Sequence, residues 1–109
     1  MTKPRATAQP SFAAARFDND AVSLSGTLDF ETVIGLDNDV APWLRDRMPA
    51  TCTVDLAEVA YSNSAGIALL LGWMRIAQQG GGKLVLRAVP EDMQALAKVG
   101  GLPELFCPE

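Results

Sequence analysis

The chain has 109 residues and a net charge of −4; it is 49% apolar and 20% charged, with no histidine. A length like this builds one domain around a single modest core. The acidic balance argues against a broad electrostatic grip on nucleic acid or anionic lipid, and the missing histidine removes the commonest general base and metal ligand.

Acid is also concentrated locally. Asp18, Asp20, Asp29, Glu31, Asp37 and Asp39 fall between Phe17 and Leu44, where there is no Lys or Arg. Such a run is either a solvated face or an acidic docking surface. The opening "MTKPRATAQPS" has two basic residues with no apolar segment behind them. Residues 1–10 are therefore expected to form a flexible tail and 11–109 the folded domain. Cys52 and Cys107 form no CxxC and no ligand-like cluster, which fits a reduced, cytoplasmic protein with no metal site. No apolar run reaches the roughly 18–20 residues of a membrane span, so a membrane is expected to be reached only through a partner.

In chain order, "FAAARF" (12–17) and "AVSLSG" (21–26) read as two short strands, with "DND" at 18–20 supplying hairpin-turn chemistry. A helix follows within 30–47. Thr27 or Asp29 is its candidate cap, and Gly35 and Pro42 argue that it is broken or starts late. "TCTVDLAEV" (51–59) is a strand placing Cys52, Val54 and Leu56 on one face. "YSNS" offers turn residues and an N-cap, Ser64, for a helix running to Gln79, and "GGG" at 80–82 ends it through a left-handed glycine cap. "KLVLRAV" (83–89) is a strand with Leu84, Leu86 and Ala88 inward. "PEDMQALAKVGG" is a helix with Met93, Leu96, Ala97 and Gly100 on one face, and "LPELF" is a final turn. The order β-β-α-β-α-β-α implies an α/β (α+β) domain: a hairpin leading into a largely parallel sheet, with helices against it.

Catalysis finds little support. "GGGKL" is no phosphate loop: Ala77 stands where the first glycine belongs, Leu84 follows the lysine, and the glycines lie between helix and strand. No cofactor is expected. A thiol enzyme has no histidine to serve it, and Cys52 reads as a buried, inert side chain. A carboxylate pair such as Asp29 with Asp55 is more often a cap and a solvated residue than an acid–base couple.

The helix over 64–79 is the unusual element. Ile67, Leu70, Leu71 and Met74 suffice to cover a sheet, yet Leu69, Trp73 and Ile76 carry apolar character round the other side. Either it is a central core helix, or it leaves an exposed patch that includes Trp73, flanked by small Ala65, Ala68 and Gly72. Ser64 is likewise a plain cap or a candidate phosphorylation site. A phosphate would be tolerated by the helix N-terminus and would oppose docking of an apolar partner beside it.

The segments "VDLAEVAYSNSAGIALLLGWMRIAQQGGGKLVL", "LAKVGGLPELF" and "LSGTLDFET" resemble the STAS domain, over roughly residues 20–107. The likeness implies a single mixed sheet of four to five strands with helices mainly on one face. "SAGIALLLGWMRIAQQGG" and "LAKVGGLPEL" are most similar to the MlaB-type branch, short cytosolic proteins that bind the ATPase subunit of an ABC complex moving phospholipid between bacterial membranes. By that resemblance Ser64 falls on the position phosphorylated in the sigma-regulating branch, and Gly66 on the glycine that follows. Asn63 replaces an aspartate and Ala65 a hydroxyl residue. Asp29 matches the aspartate of the "GELD" stretch near the same loop. The partner-binding residues implied are Ser64, Asn63, Ala65, Ile67, Ala68, Trp73 and Asp29. The expected function is a non-catalytic subunit supporting an ABC ATPase; the alternative is an anti-sigma-factor antagonist that binds a kinase-like anti-sigma factor. The same apolar face would serve a homodimer when the partner is absent.

Overall fold

The computed structural model of the chain describes residues 12–47 and 50–99. The expected N-terminal tail, Gly100, the "LPELF" turn and Cys107 lie outside them. Four strands and three helices follow in the order β1 (Ala13–Asp18), β2 (Ala21–Leu28), α1 (Val33–Arg47), β3 (Thr51–Ser62), α2 (Ser64–Gln79), β4 (Lys83–Arg87) and α3 (Glu91–Val99).

The strands form one sheet in the order β1-β2-β3-β4. β1 and β2 are an antiparallel hairpin closed at Asp18↔Ala21, and Asn19 takes the left-handed conformation (φ 54°) that the two-residue turn requires. β2 pairs parallel with β3, and β3 parallel with β4, each connection carrying a helix. The register sets Val22, Val54 and Leu86 side by side on one face, while Ala21, Thr53 and Val85 alternate to the other. Val22, Leu24, Cys52, Val54 and Leu56 are fully buried under the helices. Their opposite-face neighbours Ser23, Ser25, Thr53 and Asp55 stay partly accessible, so one face makes the core.

β3 runs three residues beyond its expected end. Its partner segment on β2 spans Ala21 to Leu28 while β3 spans Thr53 to Ser62, with register shifts between Ser23 and Ser25 and between Gly26 and Thr27. Each shift places an extra residue in β3, so the buried positions step from Cys52, Val54 and Leu56 to Val59 and then Ser62. Strict alternation fails there, which hid the end of the strand.

α1 starts late, as its sequence suggests, but is not broken. Leu36, Val40, Ala41 and Leu44 form its buried stripe, and Pro42 sits inside the helix on the exposed side. A mid-helix proline costs about 3 kcal/mol, and the packing of that stripe offsets it. The far end of α1 is tied to the hairpin: Trp43 meets Phe17 with ring centroids 5.1 Å apart, and Arg47 lies 5.5 Å over the Trp43 ring and 3.1 Å from Asp20.

α2 is the middle helix. It packs on β3 and β4 below, α1 on one side and α3 on the other, which explains apolar residues on nearly every side. At its end Gly82 donates to the Ala77 carbonyl (2.8 Å) and Gly81, at φ 79°, to that of Gln78 (3.1 Å), a Schellman closure. After β4, Ala88 does not face inward. It turns left-handed (φ 56°) and exposed, and Val89 takes the buried place. α3 buries Met93 and Ala97 and leaves Leu96 42% exposed.

Candidate docking face at the α1–α2 seam

Both parallel strands that launch α1 and α2 end side by side. Leu28 pairs with Ser62, and the Asn63 N–H donates to the Leu28 carbonyl at 3.1 Å. Asp29 and Asn63 therefore leave the sheet as neighbours at its carboxyl edge, where open α/β sheets place their sites. Asp29 orders the turn into α1: its Oδ1 accepts from the N–H groups of Glu31 (2.9 Å) and Thr32 (3.1 Å), and its own N–H donates to Thr32 Oγ1 (3.0 Å).

Asn63 performs the corresponding task for α2. Its backbone is extended and its Oδ1 accepts from the Ala65 N–H at 2.8 Å. Asn63, rather than Ser64, is thus the N-cap; Ser64 is the first helical residue and is exposed. Asn63→Ala is expected to lower stability by about 1 kcal/mol and Ser64→Ala by less than about 0.5 kcal/mol, read from thermal melts of the two variants.

The first turn of α2 sits tightly on the strands. A Cβ built on Gly66 would run into Ser62 Oγ and lie 3.0 Å from the Leu28 Cβ. Ser62 is 4% exposed, and its hydroxyl donates to the Asn63 carbonyl at 3.0 Å.

Trp73 is not part of a surface patch. It is fully buried, and its indole Nε1–H donates to Asp37 Oδ1 on α1 at 2.9 Å. The reason is geometric: on the middle helix of a layer, the flank facing α1 is covered as fully as the flank facing the sheet. Ile67 and Ala65, at 7% and 4% exposure, are also interior. Of the residues singled out on the helix, Ser64, Ala68 and Gly72 reach solvent.

The exposed apolar surface lies elsewhere on the same seam. Phe30 (70% exposed) projects from the turn before α1 and Ile34 (68%) from its first turn. With Val33, Asp37, Ala65, Ala68, Leu69 and Gly72 they line an open groove of about 340 Å³ between α1 and α2. The solvent stripe of α2 beside it reads Ser64, Ala68, Gly72, Arg75, one residue per turn. The signal for Ile34 was its place outside the inward stripe that begins at Leu36; Phe30, in the turn before the helix, had no periodic signal. Asp37 as the indole's acceptor had no sequence signal, since it lies 36 residues from Trp73.

Cys52 is wholly buried, and desolvation, with the nearby Asp20 charge second and Arg47 opposing, pushes its thiol upward. It stays protonated at neutral pH and is a poor nucleophile. Among the described residues no group of three or more His, Cys, Asp or Glu is placed to hold a metal ion, and no helix is long and apolar enough to cross a membrane.

Comparison with known proteins settles the family. The model described as "Mlab, STAS domain" matches residues 11–106. The chain belongs to the STAS domain family. Solved STAS-type structures share its fold: the anti-sigma factor antagonist SpoIIAA in its unphosphorylated form (TM-score 0.68, 18% identity, 85% of this chain and 84% of that one). A second is an anti-sigma factor antagonist from Mycobacterium paratuberculosis (0.66, 22%, 91% and 85%). The third is the Bacillus cell fate determinant SpoIIAA in its phosphorylated form (0.65, 19%, 85% and 86%). No curated protein matches the sequence. The four-stranded sheet and three helices agree with the mixed α/β STAS architecture expected from the sequence.

Proposed function

We propose that this STAS domain is a non-catalytic, cytoplasmic subunit that binds and supports the ATPase of a bacterial ABC phospholipid transporter, and that it reaches the inner membrane only through that complex. The match to the MlaB-type STAS family over residues 11–106 carries the reading. The α1–α2 seam supports it, because exposed Phe30 and Ile34 beside a small-residue helix stripe suit a protein partner better than solvent. In this role the domain stabilises the ATPase by contact, contributes no catalytic group and needs no cofactor. Ser64, Asn63, Ala68 and Asp29 lie at or beside the contact, while Ala65 forms its wall and Ile67 and Trp73 support it from within.

A second reading, an anti-sigma-factor antagonist released by phosphorylation of Ser64, is favoured by the structural likeness to such antagonists and by the exposure of Ser64. Asn63 in place of an acid before that serine speaks for the transporter.

Ser64→Glu separates the two with one experiment. Adding a charge at the edge of the contact is expected to abolish capture of an ABC ATPase and its membrane subunits from a detergent-solubilised lysate, while the wild type retains them. Capture of a kinase-like anti-sigma factor by the wild type in their place refutes the transporter reading.

A further inference from the structure

Among the described residues no strand lies beyond β1, so its outer edge is open. The register shows which backbone groups that edge presents. The Thr27 N–H donates to the Phe12 carbonyl at 2.8 Å, and Ala13 stands opposite Gly26. Bonded and non-bonded positions alternate along an antiparallel pair, so Ala14 and Arg16 turn their backbone groups toward β2. Ala13, Ala15 and Phe17 turn theirs outward, along a strand of six residues. The same three residues face the helix side of the sheet, opposite Gly26, Leu24 and Val22. Beside them, between the edge and α1, lies an open groove of about 410 Å³ whose lining includes Phe12, Ala13, Glu31, Gly35, Asn38 and Asp39. Glu31 and Asp39 are exposed, and neither carboxylate has a hydrogen bond or ion pair among the described residues. No Lys or Arg is among the lining residues to offset them. Arg16, the one cation on β1, shares the opposite face of the sheet with Ser23 and Asp55, and Arg45 and Arg47 stand in the last turn of α1.

We propose that the β1 edge takes an extended segment of a partner protein as an added strand, with Lys or Arg at alternate positions reaching into the groove toward Glu31 and Asp39. The backbone of that segment pairs with Ala13, Ala15 and Phe17. Its side chains alternate between the two faces of the sheet, so every second one falls on the helix side. The short side chains of Ala13 and Ala15 let a long cationic side chain pass over them to the two carboxylates. An acidic side chain in that place meets like charge instead. Backbone pairing thus supplies the grip and the groove supplies the choice of sequence. This surface lies across α1 from the seam lined by Phe30, Ile34 and Asp37, so the inference stands apart from the transporter reading.

The test titrates the full chain with an eight-residue peptide that alternates Lys with Val or Thr, read by calorimetry and by NMR hydrogen exchange. The Ala13, Ala15 and Phe17 amides are expected to gain protection, while those of Ala14 and Arg16, already bonded to β2, change little. The same peptide with Glu for Lys is expected to bind at least about tenfold more weakly. N-methylation of the peptide amides on its pairing edge is expected to abolish binding, which charge attraction alone would not require. Glu31→Gln combined with Asp39→Asn changes only exposed positions. It is expected to hold Tm within about 4 °C and to weaken the Lys peptide about tenfold. Equal binding of the Lys and Glu peptides, or undiminished binding of the N-methylated one, overturns the proposal. Tenfold tighter peptide binding by Lys3→Glu combined with Arg5→Glu also overturns it, by giving the edge to this chain's own N-terminal segment. A concentration-dependent dimer that protects the same three amides overturns it in favour of a second copy. Capture of an ABC ATPase is expected to be equal for the wild type and the double carboxylate variant, so either reading can fail without the other.

Discussion

Trp73→Ala is expected to be the most damaging single substitution in α2, costing about 3–5 kcal/mol. The side chain is fully buried at the junction of α1 and α2, so truncation leaves a cavity that a layer of helices cannot collapse into. A domain of this size is stable by only about 5–15 kcal/mol, and Tm should fall by roughly 12 °C or more. Trp73→Phe retains an aromatic ring but loses the 2.9 Å donation to Asp37, and is expected to cost about 1–2 kcal/mol beyond the volume change. Thermal and urea melts followed by circular dichroism read both. The alternative, that Trp73 belongs to a partner surface, makes the contrary prediction: Trp73→Ala would melt like the wild type and lose only its partner. An unchanged Tm would therefore remove the helix packing described here.

Gly66→Ala should destabilise by about 1–3 kcal/mol, although alanine is the better helix former by nearly 1 kcal/mol. The added methyl meets Ser62 Oγ, which is buried and held by its donation to the Asn63 carbonyl, and the Leu28 Cβ, which is fixed to its strand. Relief requires α2 to lift from the carboxyl ends of β2 and β3, which would also loosen the Asn63 cap. Ser62→Ala removes the nearer obstacle, so the double variant is expected to recover part of the loss, a non-additivity that identifies the contact. Gly72→Ala supplies the control. The same chemical change six residues along the same helix is expected to stabilise, because its Cβ has open space. If both glycine variants raised Tm, helix propensity and not packing would govern this helix.

Much of the architecture was readable from periodicity and turn chemistry. The helix over Ser64–Gln79 has the limits its sequence suggests, because a polar cap before Ala65 and three glycines after Gln79 bound an apolar run on both sides. The hairpin at Asn19, the parallel strands carrying Val54 and Leu86, and α3 behind Pro90 follow from equally local signals. Misreadings fell where two segments compete for one role. Asn63 and Ser64 are both good caps, and the long-range pairing of Asn63 N–H with the Leu28 carbonyl stations the asparagine at the helix entrance. Two register shifts in β3 cannot be inferred from that strand alone, because they exist only relative to β2.

The docking face divides in the same way. Composition and patterning determined an acidic, histidine-free α/β domain with one helix apolar on nearly all sides, and Ser64 and Ala68, singled out on that helix, are exposed. They could not determine which apolar residues the domain would cover. An isolated helix offers Trp73, Ile67, Ala68 and Gly72 to solvent on equal terms. Only once α1 lay alongside, with Asp37 in reach of the indole, did Trp73 become interior and Phe30, Ile34 and Gly72 remain outside. Burial is a property of neighbours brought together from distant parts of the chain, so the tertiary structure alone decided which apolar side chains hold the fold and which stay exposed.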